Sequence, residues 1–410
     1  HKHAPIDPPN AVLYTSPHQF EPLMPQIALG KLVDETRRVF ELSHELRGSL
    51  HPVTLMAVRE VVRSMNSYYS NRIEGQGTHP GNIDRALRAD FSTRPDVARR
   101  QRVAVAHIEA ERQLEARTAN VVWRDVDALR SDLLIDAHRA LYGRLPEDDR
   151  RSPEGIVIAP GSVRVDDVTV GRHDAPAHGS IRAFFGRMDD TYPKLRGVDS
   201  LLCGIAAAHH RFAWVHPFVD GNGRACRLQT HCALFPLNEG LWSVNRGLAR
   251  DRDGYYLHLA NADQPRQGDI DGRGNLSERM LREWCEYFVA VCKDQVAFMN
   301  RMLDFDGLRE RLAALIAVRE QSSIHRHYRP EAVPPLHHVL VLGPLARGDF
   351  VRMTGIPERT AQRTLTQLVK DGLLVSDGPK LPVRIGFPLD ALGILFPNLY
   401  PEAATANPDE

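Results

Sequence analysis

A glycine-rich turn flanked by two helical patterns restricts the fold of this chain more than any other feature. Apolar residues recur at intervals of three and four from Leu201 to Phe212, the pattern stops at His216-Pro217, and it resumes from Ala225 to Phe235. Such spacing predicts two amphipathic helices joined by a short loop. The same spacing from Leu55 to Tyr69 predicts another helix that packs its apolar side inward. We therefore expect a chain built mainly from helices.

The turn carries glycines and arginines at positions that suit an anion. Gly221 and Gly223 can adopt backbone conformations closed to other residues, so successive N–H groups can approach a phosphate closely. The helix expected to begin near Gly223 adds unpaired N–H groups and the positive end of its dipole. Arg224 and Arg227 lie three residues apart on the first turn of that helix. We therefore expect both guanidinium groups to hold the outer phosphates of one ligand.

A carboxylate and an imidazole flank the same turn. Asp220 can supply an oxygen ligand to Mg²⁺, which commonly binds one or two carboxylates together with phosphate oxygens and water. His216 follows the preceding helix, and a histidine can accept a proton from an attacking hydroxyl near neutral pH. Each of these residues alone is more often structural. Their combination within one segment predicts chemistry on a phosphate group.

The twelve-residue segment from His216 to Arg227 resembles the signature of the Fic family at every position: His, Pro, Phe, an acidic residue, Gly-Asn-Gly-Arg and a further Arg. The resemblance implies a helical core that transfers AMP from ATP to a Ser, Thr or Tyr hydroxyl of a protein, with Mg²⁺ as cofactor. By position, it implies that His216 is the general base and that Asp220 is the metal ligand. The residues that it implies to bind the nucleotide are Gly221, Asn222, Gly223, Arg224, Arg227, Tyr255 and Tyr256.

Two of these assignments concern particular parts of the nucleotide. Asn222 resembles the residue that binds the α-phosphate. Tyr255 and Tyr256 match the paired tyrosines near the adenine, although such a pair can equally belong to the core.

Alternation of apolar and polar residues between Ile156 and Gly171 predicts a short β-hairpin. Val163 and Val165 precede a tight turn at Asp166-Asp167, and Val168 and Val170 follow it. Residues 163–171 are similar to the Fic flap, which aligns a segment of the target protein by strand addition. An ordinary surface hairpin remains the alternative.

A glutamate closes the helix predicted from Leu55. Glu74 lies just before Gly75, and a carboxylate in a last helical turn costs up to ~1 kcal/mol unless a cation compensates it. Ser70 lies four residues earlier, so its hydroxyl can orient the carboxylate. The segment from Ser70 to Gly75 resembles the inhibitory motif of Fic proteins that carry it before the core. The resemblance implies that Ser70 and Glu74 inhibit the site through a pair with Arg227, whereas a solvated surface glutamate is the alternative.

The C-terminal part is predicted to be a separate small module. A helix at Gly348–Met353, a turn at Thr354–Pro357 and a helix at Glu358–Lys370 precede a wing at Leu373–Phe387. These elements resemble the winged helix found in many Fic proteins. Residues 347–387 could bind DNA through exposed Arg359, Gln362 and Arg363. Acidic residues dilute the charge, so we favour protein docking or formation of a homodimer.

Three regions are therefore expected. Residues 1–110 form a proline-rich arm and the helical region with the inhibitory helix, residues 111–325 form the catalytic core, and residues 336–400 form the winged-helix domain, with a linker before it. The predicted fold class is mainly α, with a β-hairpin flap and a small C-terminal α/β domain.

Composition restricts the partners and the cellular location that we expect for this protein. The 52 basic and 52 acidic residues cancel, so no polyanionic partner is required, and no apolar stretch approaches the length of a membrane span. The five cysteines form neither a CxxC pair nor a disulfide framework, and Cys226, although close to the turn, is expected to fill the core as a reduced thiol. No secretory signal is visible, which favours the cytoplasm.

Three functions fit this sequence. The leading prediction is protein adenylylation that is autoinhibited by Glu74. The second uses the same site for removal of AMP, with Glu74 orienting a water molecule. The third is a regulator that senses a nucleotide in the core and binds DNA through the C-terminal module; it does not require His216.

Overall fold

The computed structural model describes residues 3–5, 14–118 and 127–404, with the backbone alone at 3–5 and 404. Part of the proline-rich arm, at 6–13, lies outside them. Buried apolar side chains from Phe20 to Tyr400 form one connected core. The architecture is mainly α, as predicted, and the division into three regions stays a prediction. Among the described helices, none offers a stretch that is both apolar enough and long enough for a bilayer crossing.

Four helices lie within the described range 14–118. Proline occupies the first position of α2, α3 and α4, where its missing N–H has no helical partner to lose. The stripe predicted from Leu55 to Tyr69 is buried on α2. The four helices are α1 Gly30–Ser49, α2 Pro52–Ile73, α3 Pro80–Leu87 and α4 Pro95–Thr118.

Eight more described helices follow, of which all but the last join α1, α2 and α4 in the central bundle, whereas the last packs mainly against the C-terminal module. They are α5 Ser131–Tyr142, α6 Ile181–Asp189, α7 Val198–Val215, α8 Asn222–Asn238, α9 Val244–Arg250, α10 Arg252–Ala262, α11 Glu278–Met302 and α12 Phe305–Glu320. Their core includes the buried indoles of Trp214, Trp242 and Trp284. The predicted helix, loop and helix are confirmed, since α7 ends at Val215 and α8 begins at Asn222.

Short 3-10 helices connect many of these elements. They are Pro17–Phe20, Asp127–Leu129, Glu147–Asp149, His178–Ser180, Tyr192–Lys194, Pro330–Ala332, Leu389–Ala391 and Pro401–Ala404.

The hairpin lies further along the chain than predicted. Strands β1 His3–Pro5, β2 Val168–Val170 and β3 His173–Asp174 form an antiparallel sheet in the order β1-β2-β3. The two-residue turn begins at Gly171, whose φ of 62° suits the first position of a hairpin turn. The prediction of a first strand at Val163–Val165 with a turn at Asp166-Asp167 is therefore wrong.

The reason is the hydrogen bonding of the segment before β2. Asp167 accepts a hydrogen bond from the main-chain N–H of His178 at 2.8 Å, and its Oδ1 lies 2.9 Å from Nδ1 of the same residue. These contacts hold the residue that precedes β2 against the segment that follows β3. The backbone N–H of Arg164 donates to the carbonyl of Pro217 at 2.8 Å. The segment therefore bonds to the loop after α7 instead of pairing with β2.

The C-terminal module follows the predicted order of elements. Its elements are α13 Val333–Leu342, α14 Arg347–Thr354, α15 Glu358–Lys370, β4 Leu374–Val375, β5 Arg384–Ile385 and α16 Leu392–Leu395. The predicted bounds of the helix after the turn are confirmed, with Leu365 and Leu368 buried and Arg359, Gln362 and Arg363 exposed. The linker is shorter than the predicted Tyr328–Pro335, because α13 already begins at Val333. The assignment to the winged-helix class stays a prediction.

Candidate active site

The loop between α7 and α8 depends on two left-handed backbone positions. His216 has φ 49° and ψ 63°, which ends α7, and Gly221 has φ 83°, which starts α8. A Cβ at Gly221 would lie 2.4 Å from the ring of Tyr142. Only glycine combines that conformation with that proximity, so Gly221 fixes the course of the loop.

Asn222 determines which nitrogen of His216 carries a proton. Its Oδ1 accepts the N–H of Phe218 at 2.9 Å and its Nδ2 donates to the carbonyl of Phe218 at 2.8 Å, so the backbone sets the orientation of the amide. The same Nδ2 lies 3.0 Å from His216 Nε2 and donates to it. Nε2 is therefore the unprotonated nitrogen, as a general base requires.

His138 on α5 holds the backbone of the loop. Its Nε2–H donates to the carbonyl of Asp220 at 2.9 Å, and its Nδ1 accepts the N–H of Gly161 at 2.9 Å. Its ring stacks on Phe218 with centroids 4.0 Å apart. Burial lowers the pKa of His138 to about 4, although the bond to Asp220 opposes this. The ring is therefore neutral at physiological pH and acts as a fixed donor to the loop.

Asp220 lines two cavities beside the loop, where its carboxylate is half-buried. Within the described residues, no hydrogen bond or ion pair engages it. Mg²⁺ needs only one or two carboxylates when phosphate oxygens and water supply its other ligands, so the chemistry of Asp220 fits such an ion.

The segment from Ser70 to Gly75, predicted to be inhibitory, contacts the motif through Arg227. Arg227, only 1% exposed, donates from Nη2 to Glu74 Oε1 at 2.6 Å and to the carbonyl of Ser70 at 3.1 Å. Its Nε donates to Ser70 Oγ at 2.9 Å. The predicted contact between Glu74 and Arg227 is present. Ser70 differs from expectation, because its hydroxyl bonds to the cation instead of orienting the carboxylate.

Glu74 lies at the N-terminal end of α8, where anion binding was predicted. It caps the C-terminus of α2, and its carboxylate lies where a Cβ on Gly223 would come within 2.3 Å of Oε1. Burial raises the pKa of Glu74, but attraction to Arg227 and Arg224 and the bond from Arg227 outweigh it, so the pKa lies below its usual value. The cation and the N-terminus of α8 thus compensate a carboxylate that its own helix disfavours.

Arg224 does not share this position. It is buried, its Nε donates to Asn71 Oδ1 at 2.8 Å and its Nη2 donates to Gln76. It lines a small separate cavity instead of the main one. The expectation that both arginines face one anion is therefore not met in this conformation. Its assignment as a phosphate ligand stays a prediction that requires Asn71 and Gln76 to release it.

A cavity of about 930 Å³ opens beside the loop. Its walls include the loop, the hairpin residues 170–174 and the pair Tyr255 and Tyr256. Tyr255 is buried and its hydroxyl is 2.7 Å from His209 Nε2. Ligand cavities commonly measure ~300–1,000 Å³, so a nucleotide fits this space.

The loop and the helices around it match a known protein family. The sequence model of the Fic/DOC family covers residues 128–234, which contain the loop, all of α5 to α7 and most of α8. The chain carries a Fic/DOC domain. A Fic family protein from Desulfovibrio desulfuricans G20 has a similar structure, with a TM-score of 0.50 and 17% identity over 88% of this chain and 98% of that one. At this identity, the likeness shows the fold alone.

Two proteins with similar sequences are both named "Protein adenylyltransferase Fic". The one from Drosophila virilis is 24% identical over 210 residues, which are 50% of this chain and 37% of that protein. The one from Drosophila willistoni is 28% identical over 140 residues, which are 33% of this chain and 24% of that protein. The matches therefore span well under half of each relative.

Behind the Fic/DOC loop lies a second group of ionisable residues, which we call the sealed cluster. It consists of Arg63 and Asn66 on α2, Glu111 and Glu115 on α4, and His231 on α8. Nitrogen and oxygen atoms of Glu111, Glu115 and His231 lie within 4.8 Å of one another, a spacing open to a metal ion. Arg63 donates to Glu115, however, and His231 Nε2 lies 2.7 Å from Glu115 Oε1.

The orientation of Asn66 opposes a metal in the sealed cluster. Its Oδ1 accepts from the hydroxyl of Ser243, so its Nδ2 is the group that approaches Glu111 Oε1 at 3.0 Å and His231 Nδ1 at 3.3 Å. His231 then carries its proton on Nε2 and donates it to Glu115. A metal on Nε2 would move that proton to Nδ1, where it would face the Nδ2 group of Asn66, so the described geometry fits an ion-pair network better than a metal site.

Sequence reasoning missed two residues of the Fic/DOC site. His138 lies on the apolar face of α5, between Leu134 and Leu141, where a histidine is usually core. Arg164 lies between two valines, and its Nε donates to the carbonyl of His216 at 2.8 Å. Arg164 therefore occupies the polar position of an apolar alternation, where an exposed arginine is expected, so nothing in the sequence indicates its role.

The thiol near the motif is inert. Cys226 is 1% exposed, and burial raises its pKa to about 12. All five cysteines are free and buried, and the prediction that Cys226 fills the core is confirmed.

Proposed function

We propose that this protein transfers AMP from ATP to a hydroxyl group of a target protein and that Glu74 inhibits the transfer. The observation that carries the proposal is that the unprotonated His216 Nε2 and the Arg227 guanidinium belong to one cavity. One supplies a base and the other an anion contact, which an adenylyl transfer requires together. The names of the two Drosophila relatives support the same reaction at the level of the family.

In the proposed reaction, the phosphates lie against the N-terminus of α8, where Gly221 and Gly223 let the backbone approach them. Asn222 Nδ2 has to release His216 Nε2, whose single lone pair then accepts the proton of the target hydroxyl. The hydroxyl oxygen then forms a bond to the α-phosphorus, and the bond to the bridging oxygen breaks, so pyrophosphate leaves. Asn222 is proposed to contact the α-phosphate, and Tyr255 and Tyr256 to contact the adenine.

Asp220 would hold a Mg²⁺ ion beside these phosphates. Such an ion supplies neutralisation of phosphate charge. The neutral His138 contributes by keeping the Asp220 backbone in place.

Glu74 is proposed to occupy the place of the outer phosphates. Its carboxylate is 2.6 Å from Arg227 and adjoins Gly223, so a triphosphate in the same place would meet a like charge and lose a cation. Two charges ~4 Å apart attract by ~4 kcal/mol at an effective dielectric of about 20, before desolvation. Half of that energy would shift a two-state equilibrium more than tenfold.

The hairpin is proposed to bind an extended segment of the target. It lines the cavity opposite the loop, with residues 170–174 facing the nucleotide space. The outer edge of β2 already pairs with β1 of the chain's own arm. A target that adds to this edge therefore has to displace residues 3–5.

The test is transfer of label from ATP carrying ³²P at the α-position. Wild-type protein, Glu74→Gly and Glu74→Gly with His216→Ala are incubated with ATP, Mg²⁺ and native lysate. We expect Glu74→Gly to label proteins more than tenfold faster than wild type, and the added His216→Ala to remove the signal. Equal labelling by wild type and Glu74→Gly would rule out inhibition, and labelling without His216 would rule out the base.

The side chain of Glu74 is 27% exposed beside the cavity, so it can also orient a water molecule for the removal of AMP from a modified protein. Proteins labelled by Glu74→Gly are therefore repurified and incubated with wild type. Loss of label that depends on Glu74 would favour removal of AMP as the main activity. Binding of a specific DNA duplex without any transfer would favour the regulator.

A further inference from the structure

Arg164 is a buried arginine whose described hydrogen bonds all go to main-chain carbonyls. Its side chain donates to His216 at 2.8 Å, to Val215 at 3.3 Å, to Pro176 at 2.6 Å and to Asp166 at 2.8 Å. The residue is 3% exposed. Burial lowers its pKa to about 10, and attraction to the nearby Asp167 only partly opposes this. The guanidinium therefore holds backbone and forms no close ion pair in the described structure.

The carbonyls that Arg164 binds belong to the turn that carries the base. Val215 is the last residue of α7 and His216 follows in a left-handed conformation that residues with a Cβ rarely adopt. Arg164 also donates its own N–H to the carbonyl of Pro217 at 2.8 Å. Three consecutive carbonyls at the negative end of α7 are thus bound by one residue, which is a favourable place for a cation.

We propose that Arg164 is a positioning residue for the base: it fixes the backbone of His216 so that Nε2 faces the cavity. The inference rests on the proposed transfer reaction. Arg164 contacts neither ATP nor target in that reaction, because its side chain lies behind the loop. Displacement of a catalytic group by ~1 Å can lower a rate by about 10²-fold. Loss of Arg164 should therefore lower kcat and leave ATP binding unchanged.

The test uses the active Glu74→Gly parent, with Arg164→Ala and Arg164→Lys added separately. Arg182→Ala, at an exposed site on α6, is the control. Steady-state kinetics, ATP affinity by calorimetry and Tm are measured for each. We expect Arg164→Ala to lower kcat about 10- to 100-fold with KM and Kd for ATP within about twofold of the parent. Arg164→Lys, which keeps a charge but fewer donors, should recover part of kcat.

A folded Arg164→Ala variant with the kcat of its parent would overturn the proposal. Parallel losses in kcat, ATP affinity and Tm would also overturn it, because Arg164 would then serve general folding. Where the alanine variant does not fold, the lysine variant decides by the same criteria, and failure of both to fold counts against a positioning role. An inactive parent would instead reject the proposed transfer reaction.

A different observation concerns the C-terminal segment 398–402, which lies on α2. Tyr400 is 3% exposed, and its ring centroid lies 5.2 Å from that of Tyr68 and 6.4 Å from that of Tyr69. Glu402 pairs with Arg72 and accepts from the hydroxyl of Tyr69 at 3.4 Å. These contacts flank Ser70 along the same helix.

The C-terminal module also holds the other end of α2. Thr54 donates its hydroxyl to the carbonyl of Leu340 on α13 at 2.6 Å. The segment 398–402 itself is tied to the core, because Arg246 on α9 donates to the carbonyls of Asn398 and Leu399. Both ends of the helix that carries Glu74 are therefore bound by residues of the C-terminal part.

We infer that segment 398–402 acts as a clasp that keeps α2, and with it Glu74, in the inhibiting position. The inference rests on the proposed inhibition. Withdrawal of the clasp would let the end of α2 move away from Arg227. The signal that activates the site would then act on the C-terminal module.

Tyr400→Ala tests the clasp, and Tyr400→Phe is its matched control. The hydroxyl of Tyr400 is buried without a hydrogen-bond partner among the described residues, so phenylalanine keeps the packing. We expect Tyr400→Ala to raise labelling at least about threefold over wild type, Tyr400→Phe to leave it unchanged, and neither to change labelling in the Glu74→Gly background.

A folded Tyr400→Ala variant that labels like wild type would overturn the clasp, as would an equal increase in both backgrounds. If the alanine variant does not fold, Glu402→Gln, which breaks the pair with Arg72 at a partly exposed site, decides by the same two comparisons. If Glu74→Gly labels no faster than wild type, the inhibition itself is rejected.

Discussion

Two ionic groups connect α2 to α8, and they differ in how completely they are enclosed. In the sealed cluster, Glu111 is fully buried, and the side chains of Glu115 and Arg63 are 5% and 4% exposed. At the cavity, Arg227 is equally buried at 1%, but the Glu74 side chain is 27% exposed. One group is closed to competitors, and the other presents its carboxylate to a cavity large enough for a nucleotide.

Enclosure determines which of these ion pairs can act as a switch. A partner that reaches solvent can be replaced by another anion, because the displaced carboxylate regains water. A sealed partner has no such exchange available, so its loss leaves an uncompensated buried charge. The contact between α2 and α8 therefore has a fixed end at Arg63 and a releasable end at Glu74.

Breaking the fixed end should have the largest effect. Arg63→Met removes the cation that binds Glu115 and lies 3.7 Å from Glu111, so two buried carboxylates lose their partner. We expect a loss of about 3–5 kcal/mol in the free energy of unfolding. Urea denaturation measures it. Arg112→Met, at an exposed site paired with Glu60, is the control and should cost at most about 1 kcal/mol. Equal losses of stability in the two variants would show that the sealed cluster contributes no more than an exposed ion pair.

The sealed cluster should also respond to pH. Burial raises the pKa of Glu111 to about 7, although the neighbouring His231 and Arg63 oppose this. An unfolded glutamate releases its proton near pH ~4.3, so stability falls as pH rises from there to about 7. Glu111→Gln, which mimics the protonated form, should be about 3 kcal/mol more stable than wild type at pH ~8 and nearly equal at pH ~4.5.

Denaturation of both proteins at the two pH values isolates the contribution of Glu111. The titrations of Glu115 and His231 occur in both proteins and therefore cancel in the difference. A constant offset between the proteins at both pH values would show that Glu111 keeps its charge throughout.

Much of the fold can be predicted from local features of the sequence. Apolar spacing, proline and glycine alone predict where α7 ends and where α8 begins. They also predict the buried stripe on α2 and the bounds of α15. A cation beside Glu74 is also predictable, because a carboxylate at the negative end of its helix needs one, whereas its identity as Arg227 is implied only by the resemblance to the Fic inhibitory motif. The roles of these two residues in catalysis stay proposals.

The rest depends on contacts between segments far apart in the chain. The hairpin prediction fails because nothing local shows that Arg164 binds the carbonyls after α7 instead of pairing in a strand. Arg224 does not lie beside Arg227, because Asn71 and Gln76 at the end of α2 draw it aside. The sealed cluster has no sequence signal, since its members come from three helices. Helical spacing predicts which side of a helix is buried but not which polar groups meet there.

The releasable end should combine a small change in stability with a large change in activity. Glu74→Gln keeps the shape of the side chain and removes its charge, so Arg227 becomes available to a phosphate. We expect labelling from ATP to rise at least tenfold. This corresponds to a change of about 1.4 kcal/mol in the equilibrium between the inhibited and the active conformation. The free energy of unfolding should change less than in Arg63→Met, because Arg227 keeps its hydrogen bonds to Ser70. A loss of stability as large as that of Arg63→Met would show that this pair is structural as well.

Ser70→Ala should give the smallest effect, because it weakens the releasable end without removing its charge. The hydroxyl of Ser70 accepts from Arg227 Nε at 2.9 Å, while the carbonyl of Ser70 and the carboxylate of Glu74 keep their bonds to Nη2. One hydrogen bond to a charged group contributes about 1 kcal/mol, so labelling should rise about fivefold. The rise should vanish when Glu74→Gly is added, because Arg227 then no longer holds an inhibitor. An equal rise in both backgrounds would mean that Ser70 acts on the active site directly and not through the cation that Glu74 engages.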